Sequence, residues 1–197
     1  MARMHRIDLG GYIYHVINRA NARIRIFHND SDYKEFEYLL TEIKETYNVR
    51  ILAYALMPNH WHLLLYPRND GDMSKALHWL TTSHARRHHI KNKTIGNGHL
   101  YQGRYKSFII KGDKHLLTVL KYIERNPARA RLCNVAEAWR WGSAFRRVCG
   151  TTAEQQLLAG LPLDLPKNYL EWINTPEPSE ELKAIRHSVN MGVPYGG

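Results

Sequence analysis

The sequence has little cysteine and no long apolar run. Its 197 residues include two cysteines, Cys133 and Cys149, and no CxxC pair. This composition argues against a disulfide-stabilised scaffold and against a thiolate metal site. No apolar stretch approaches the roughly 20 residues that cross a bilayer, and the N-terminus lacks the apolar segment of a secretory signal. We therefore expect a cytoplasmic protein without a membrane partner.

Acidic residues are scarce in one part of the chain. The sequence has 28 basic and 18 acidic residues, a formal net charge of +10 and a pI of about 9.7. Residues 78–131 hold twelve of the basic residues but only two acids, Asp113 and Glu124, whereas charges elsewhere cancel. A basic block beside a neutral remainder is typical of a phosphate-binding surface. The expected partner is therefore nucleic acid, and the expected location is the nucleoid.

The apolar pattern predicts an α+β fold. Aromatic and β-branched runs indicate strands, and 3.6-residue periodicity indicates helices. The predicted strands are 11–18, 49–56, 60–66 and 105–110, and the predicted helices are 31–46, 73–89 and 111–125. Ser31 or Asp32 is the expected cap of the first helix, and Pro127 is expected to end the third. This order suits one antiparallel sheet backed by helices.

The character of the chain changes near residue 131. We expect residues 1–131 to form the main domain and residues 132–197 to form a C-terminal extension that packs on it. Prolines at 162, 166, 176 and 178 punctuate this extension, and a last helix is expected to open at Ser179 and to close at Gly192. The fold class is therefore α+β with a C-terminal helical tail.

Asn59-His60-Trp61-His62 begins the third predicted strand. Residues i and i+2 of a strand point to the same face, so His60 and His62 leave the sheet side by side and Trp61 points the other way. Two imidazoles on a rigid sheet supply most of a metal site. The local pattern alone leaves open that the pair merely covers a sheet face.

Tyr122 and Asn126 lie one turn apart on the late predicted helix. An amide oxygen beside two imidazoles suits a divalent ion such as Mg²⁺ or Mn²⁺. Such an ion can polarise a phosphodiester, and a tyrosine hydroxyl needs that activation to attack phosphorus. The alternative is a helix-surface tyrosine followed by an Asn-Pro stop.

Tyr101 and Tyr105 lie among Arg104 and Lys106. This position suits base stacking and phosphate contact better than it suits the role of nucleophile. A turn with a packed aromatic residue is the alternative for this segment. His84 is expected to be a core or solvated helix residue. The candidate DNA-binding residues are Arg19, Arg86, Arg87, Tyr101, Gln102, Arg104, Lys106, Lys121 and Arg125.

These motifs resemble a known family. Residues 57–63, MPNHWHL, resemble the HUH motif (His, hydrophobic, His) of single-strand-specific transposases. The segments LYQGRYKSF at 100–108 and YIERNPARA at 122–130 resemble its branch of REP-associated tyrosine transposases, and WRWGS at 139–143 matches a downstream element. The resemblance covers roughly residues 10–145, and the ending at 191–196 is similar as well.

The resemblance implies a ferredoxin- or RRM-like fold, the HUH endonuclease fold. It implies that His60, His62 and Asn126 bind a divalent metal, Mg²⁺ or Mn²⁺, and that Tyr122 is the nucleophile. The implied substrate is single-stranded DNA beside a REP hairpin, cut and rejoined through a 5′-phosphotyrosine by a monomer rather than a dimer. In that branch the tail can fold back toward the active site.

The expected function is therefore that of a metal-dependent single-strand DNA endonuclease and strand-transferase. Two other functions stay open. One is a non-catalytic, domesticated protein that binds hairpin DNA or RNA. The other is a zinc hydrolase that uses His60 and His62, although the sequence has no HExxH motif and no obvious third histidine ligand.

Overall fold

A computed structural model describes residues 7–191 of the chain, with side chains described through Val189. The strands are β1 Tyr14–Arg19, β2 Val49–Met57, β3 His60–Pro67 and β4 Lys106–Ile109. The helices are α1 Asp30–Thr46, α2 Asp72–Asn92, α3 Asp113–Glu124, α4 Asn126–Arg129, α5 Ser143–Val148, α6 Thr152–Gln155, α7 Tyr169–Asn174 and α8 Ser179–Met191. Within this part of the chain, no helix has the length and apolar character that a membrane span requires.

The four strands form one antiparallel sheet in the order β2-β3-β1-β4. This strand order with the chain order β-α-β-β-α-β is the ferredoxin-like arrangement, so the predicted α+β fold is confirmed. A β-ladder alternates its side chains between two faces, and both faces are buried here. Helices α1 and α2 pack on one face with Trp61, and α3 and α8 pack on the other with Leu64.

The capping residue of α1 differs from the expectation. Asn29, not Ser31 or Asp32, is the cap: its side-chain oxygen accepts hydrogen bonds from the backbone N–H groups of Ser31 at 3.0 Å and Asp32 at 3.3 Å. Asp32 completes a capping box because its carboxylate accepts from the Asn29 N–H. Ser31 and Asp32 therefore lie in the first turn.

The end of α3 also differs. The sequence predicts one helix ended by Pro127, but α3 ends at Glu124 and α4 starts at Asn126. Pro127 lies in the first turn of α4. Backbone N–H groups in the first turn have no partner within the helix, so proline is tolerated there. Arg125 keeps right-handed helical angles between the two helices, so the chain turns without unwinding.

Tyr101 is a core residue, which corrects the expectation that its ring stacks on DNA bases. Its ring is buried, its hydroxyl accepts a hydrogen bond from Trp61 Nε1 at 3.0 Å, and it donates to His84 Nδ1 at 2.6 Å. The indole N–H of a buried tryptophan needs such a partner. The packed-aromatic alternative is therefore the correct one, and His84 is buried as well.

The segment after residue 138 packs along the edge of the sheet at β2. The backbone N–H of Leu56 donates to Trp141 O at 2.9 Å, and that of Ala159 donates to Ile51 O at 2.8 Å. These bonds occupy backbone groups that an edge strand would leave unpaired. The division of the chain at residue 131 stays a prediction, and the ending at 192–197 with its helix stop at Gly192 lies outside the described residues.

Glu124 fixes this segment to α3 from within the protein. Its buried carboxylate accepts hydrogen bonds from Ser143 Oγ at 2.6 Å, Tyr169 Oη at 2.7 Å and Arg147 Nε at 2.9 Å. Helices α5 and α7 thus share one acceptor on α3, and these bonds explain why a charged group is tolerated at this depth.

We expect Glu124→Ala to lower the free energy of unfolding by about 3 kcal/mol, because it leaves a largely buried guanidinium without its partner. Urea denaturation measures the change. Glu180→Ala is the matched control, since Glu180 pairs with Lys183 in a highly exposed i,i+3 bridge and its loss should change little. Equal stability of the two variants would contradict the structural role of Glu124.

We also expect the protein to lose stability in acid through His84. Burial lowers the pKa of His84 to about 3, whereas the unfolded chain binds that proton at its ordinary pKa of about 6.5. Unfolding therefore takes up a proton between these values, and stability falls as the pH drops from 6.5 toward 3, by at most about 1.4 kcal/mol per pH unit. Urea titrations of wild type and His84→Asn at pH 7 to 4 measure this slope. Asparagine keeps an acceptor for Tyr101, and its slope should be shallower; identical slopes would refute the prediction.

Candidate active site

A cavity of about 210 Å³ opens on the α3 face of the sheet, at the N-terminal end of β3. Strand β3 supplies His60 and His62, and the junction of α3 and α4 supplies Tyr122 and Asn126. The structure thus brings together the four residues that the sequence singled out. Other residues that line the cavity are Ile17, Arg19, Arg129, Ala130, Arg186 and Val189.

With the side-chain amides of Asn59 and Asn126 oriented as in this structure, hydrogen bonds assign the protonated nitrogen of each histidine. His60 Nδ1 lies 2.7 Å from Oδ1 of Asn59, so it donates and leaves the Nε2 lone pair free. His62 Nε2 lies 2.8 Å from Nδ2 of Asn126, so it accepts, and the proton of the neutral ring is on Nδ1. That Nδ1 lies 2.9 Å from Nε2 of a third buried histidine, His15.

Burial keeps both imidazoles of the motif neutral. It lowers the pKa of His60 to about 3, and the charge of Arg19 acts in the same direction. Burial also holds the pKa of His62 well below its ordinary value, with further contributions from His15 and His60. A histidine must be neutral to ligate a metal, so the protein maintains the required state at physiological pH.

The donor atoms suit a hard or borderline divalent ion. His60 and His62 offer Nε2 lone pairs, and rotation of the Asn126 amide would present Oδ1 in place of the nitrogen that now contacts His62. Across residues 7–191, no group of three or more His, Cys, Asp or Glu side chains is arranged to hold an ion. The amide is therefore needed as the third protein donor, and a zinc hydrolase site lacks its third histidine or carboxylate there.

Tyr122 lies over the histidines. Its ring meets that of His62 edge to face, with centroids 5.7 Å apart, and the Arg129 guanidinium lies 4.3 Å from the ring centroid. Arg129 Nη2 also donates to the Tyr122 carbonyl at 2.7 Å. Burial raises the pKa of Tyr122, while the charge of Arg129 acts in the opposite direction. The hydroxyl is therefore protonated at neutral pH, next to a cation that favours its anion.

The described part of the tail covers this site. Glu177 accepts a hydrogen bond from Arg125 Nη1 at 2.6 Å and a second one from Arg129. Helix α8 places Arg186 and Val189 against the cavity, and Lys106 Nζ donates to the Val189 carbonyl at 2.9 Å. Glu177 therefore competes with any phosphate for the two guanidinium groups.

Four of the predicted DNA-binding residues lie beside the site. Arg19, Gln102, Arg104 and Lys106 line a second cavity of about 310 Å³, which shares Ile17, Arg19 and Val189 with the first. Lys121 is one turn before Arg125 on the same side of the fold, and its ammonium lies 5.3 Å from the centroid of the Trp172 ring. Cationic and amide groups thus continue the candidate site along the sheet.

Arg86 and Arg87 are not part of this surface. Both lie on α2, which packs on the sheet face opposite to His62, and Arg87 pairs with Glu35 of α1 at 3.5 Å. They lie apart from the candidate site, and their role in DNA binding stays a prediction. The reason is topological: the basic block is continuous in the sequence, but the sheet lies between its members.

Sequence reasoning missed His15, Asn59, Arg129 and Arg186 as parts of the site. Asn59 adjoins His60 in the motif, and Arg129 lies one turn after Asn126, so both could have been found by spacing. His15 and Arg186 meet the site only through strand register and tail packing, which no local pattern reveals.

Comparisons with known proteins identify the family of the chain. The family model described as "Transposase IS200 like" matches residues 9–126, a range that includes all four site residues. A Haemophilus influenzae protein named as a REP-associated tyrosine transposase is 29% identical over 127 residues, which are 60% of this chain and 72% of that protein. The solved structure of a REP-associated tyrosine transposase bound to a REP hairpin has the same fold, with a TM-score of 0.62 at 20% identity over 84% of this chain and 95% of that one. The chain therefore belongs to the IS200-like transposase family, and its resemblance to the REP-associated tyrosine transposases is confirmed.

Proposed function

We propose that this transposase is a metal-dependent single-strand DNA endonuclease and strand-transferase that cuts and rejoins DNA at REP-type hairpins. The observation that carries the proposal is the convergence of His60, His62, Asn126 and Tyr122 on one cavity. Family membership supplies DNA as the substrate class, and the hairpin bound to the structural relative supports the substrate form.

The metal proposed is Mg²⁺ or Mn²⁺. His60 and His62 would hold it through Nε2, and Asn126 would hold it through Oδ1. When bound, a divalent ion polarises the scissile phosphate and neutralises charge that develops on the leaving oxygen. The neutral rings support this assignment because His60 Nε2 has an open lone pair, and rotation of the Asn126 amide would release the lone pair of His62 Nε2.

Tyr122 would attack the phosphorus atom. A bond forms between its Oη and phosphorus, the bond from phosphorus to the 3′-oxygen breaks, and the phenolic proton ends on the released 3′-hydroxyl. Arg129, beside the ring, would stabilise negative charge on the phenolate oxygen as the proton leaves. The 5′-phosphotyrosine keeps the energy of the broken bond, so another 3′-hydroxyl can reverse the step and join a new strand.

The DNA would reach this centre along the second cavity. Arg19, Gln102, Arg104 and Lys106 offer cationic and amide donors to successive phosphates and bases, and Lys121 and Arg125 extend the charge on the helix side. One chain contributes the nucleophile and all three proposed ligands, which supports action as a monomer.

Adduct formation tests the proposal. We would incubate the protein with Mn²⁺ and a pool of DNA hairpins that carry randomised single-stranded flanks, then separate products on a denaturing gel. We expect a covalent protein–DNA band whose peptide maps to Tyr122, and we expect EDTA to abolish it. Tyr122→Phe should form no adduct, whereas Tyr105→Phe, the same chemical change in a neighbouring motif, should retain it.

Two outcomes would count against the proposal. An adduct that persists in Tyr122→Phe would show that another residue is the nucleophile. Tight hairpin binding by wild type without an adduct in Mg²⁺ or Mn²⁺ would favour the non-catalytic nucleic-acid-binding alternative.

A further inference from the structure

A third imidazole is buried directly behind the proposed metal site. His15 on β1 is 2% exposed, and no step described above uses it. In the β1–β3 ladder, Ile17 lies opposite His62 and His15 lies opposite Leu64, so the two histidines are diagonal neighbours on one sheet face. Their rings stack with centroids 5.2 Å apart and planes 19° apart.

In this structure, the Asn126 amide directs Nδ2 toward His62, so Nδ2 donates to His62 Nε2. With this orientation, the two hydrogen bonds of His62 are consistent in only one arrangement of protons. A neutral imidazole has one ring proton, so that of His62 is on Nδ1 and is donated to Nε2 of His15 at 2.9 Å. His15 must therefore be an acceptor at Nε2.

We propose that His15 is a positioning residue for the metal site: it accepts the Nδ1 proton of His62, fixes that tautomer and aims the Nε2 lone pair into the cavity. This inference rests on the proposed function, because it concerns a ligand of that site. Outer hydrogen-bond partners of metal-bound histidines commonly fix both the tautomer and the ring orientation.

The surroundings of His15 hold its acceptor in place. Phe108 lies opposite it on β4, with ring centroids 5.9 Å apart, and the Tyr122 ring covers it edge-on at 6.0 Å. The ring is thus confined by the sheet, by β4 and by α3. Without this acceptor, the buried Nδ1–H of His62 would be unsatisfied, and the alternative tautomer, with its proton on Nε2, would no longer be disfavoured.

Asn59 has the corresponding position for His60, where its side-chain oxygen accepts the Nδ1 proton. The difference is depth. Asn59 lies in the half-buried turn before β3, whereas His15 is buried in the sheet, so the His62 ring is constrained by the fold itself.

Two variants separate the hydrogen bond from the packing. His15→Phe keeps an aromatic ring between Phe108 and Tyr122 but removes the acceptor, and His15→Gln places an oxygen near the position of the original Nε2. Binding of Mn²⁺ without DNA, measured by electron paramagnetic resonance of the free ion, should weaken about 10–100-fold in His15→Phe. His15→Gln should recover most of the affinity.

Nuclear magnetic resonance provides a readout that packing alone would not change. Long-range ¹H–¹⁵N correlation of the metal-free wild type should show His62 as the Nδ1–H tautomer, and His15→Phe should show a mixture. Wild-type His62 protonated at Nε2, or a folded His15→Phe that binds Mn²⁺ as wild type does, would overturn the inference. The wild-type spectrum decides the matter even if His15→Phe fails to fold.

The same experiments distinguish this inference from the proposed function. If wild type binds Mn²⁺ and forms the Tyr122 adduct while His15→Phe behaves identically, only the role of His15 is wrong. If wild type and His62→Ala show the same negligible Mn²⁺ binding, the metal site and the role of His15 are both wrong.

Discussion

Strand β3 has only one suitable register in the sheet, because Trp61 must be buried on one face while His60 and His62 project from the opposite face. Trp61 is fully buried, and its indole N–H donates to the hydroxyl of Tyr101, which is in turn hydrogen-bonded to His84. A slip of one residue would exchange the faces and place the indole in the cavity. The aromatic core on the α1–α2 side therefore fixes the site on the α3 side.

The chemistry of the candidate site depends on histidine side chains that are buried and uncharged. Three imidazoles lie in a region where protonation is costly, and hydrogen bonds with Asn59, Asn126 and one another orient them. Both Nε2 atoms of the motif are thus unprotonated, and that of His62 accepts a hydrogen bond from Asn126. Burial raises the pKa of the Tyr122 hydroxyl, and the charges of Arg129, Arg186 and Arg19 oppose this shift; Glu177 of the tail also binds Arg129.

The sequence predicted those parts of the site that depend on local periodicity. The two-residue period of a strand places His60 and His62 together, and one helical turn of spacing places Asn126 near Tyr122, even though α3 and α4 are separate helices. His15 could not be found in this way, because its contact with His62 depends on the register between β1 and β3. The same limit explains why Arg86 and Arg87 lie apart from the site. The basic block of the sequence is divided between two faces of the sheet, because α2 and α3 pack on opposite sides. Tyr101 was misjudged because its neighbours in sequence are basic, whereas its neighbours in space are Trp61 and His84.

The central claim is that one divalent ion binds at the meeting point of β3 and the α3–α4 junction. A crystal structure of the wild-type protein soaked with Mn²⁺, with anomalous diffraction used to locate the ion, tests it most directly. We expect a single strong anomalous peak with Nε2 of His60, Nε2 of His62 and a rotated Asn126 Oδ1 all within about 2.0–2.3 Å of it. An ion bound elsewhere, with the Asn126 amide nitrogen still on His62, would contradict the claim.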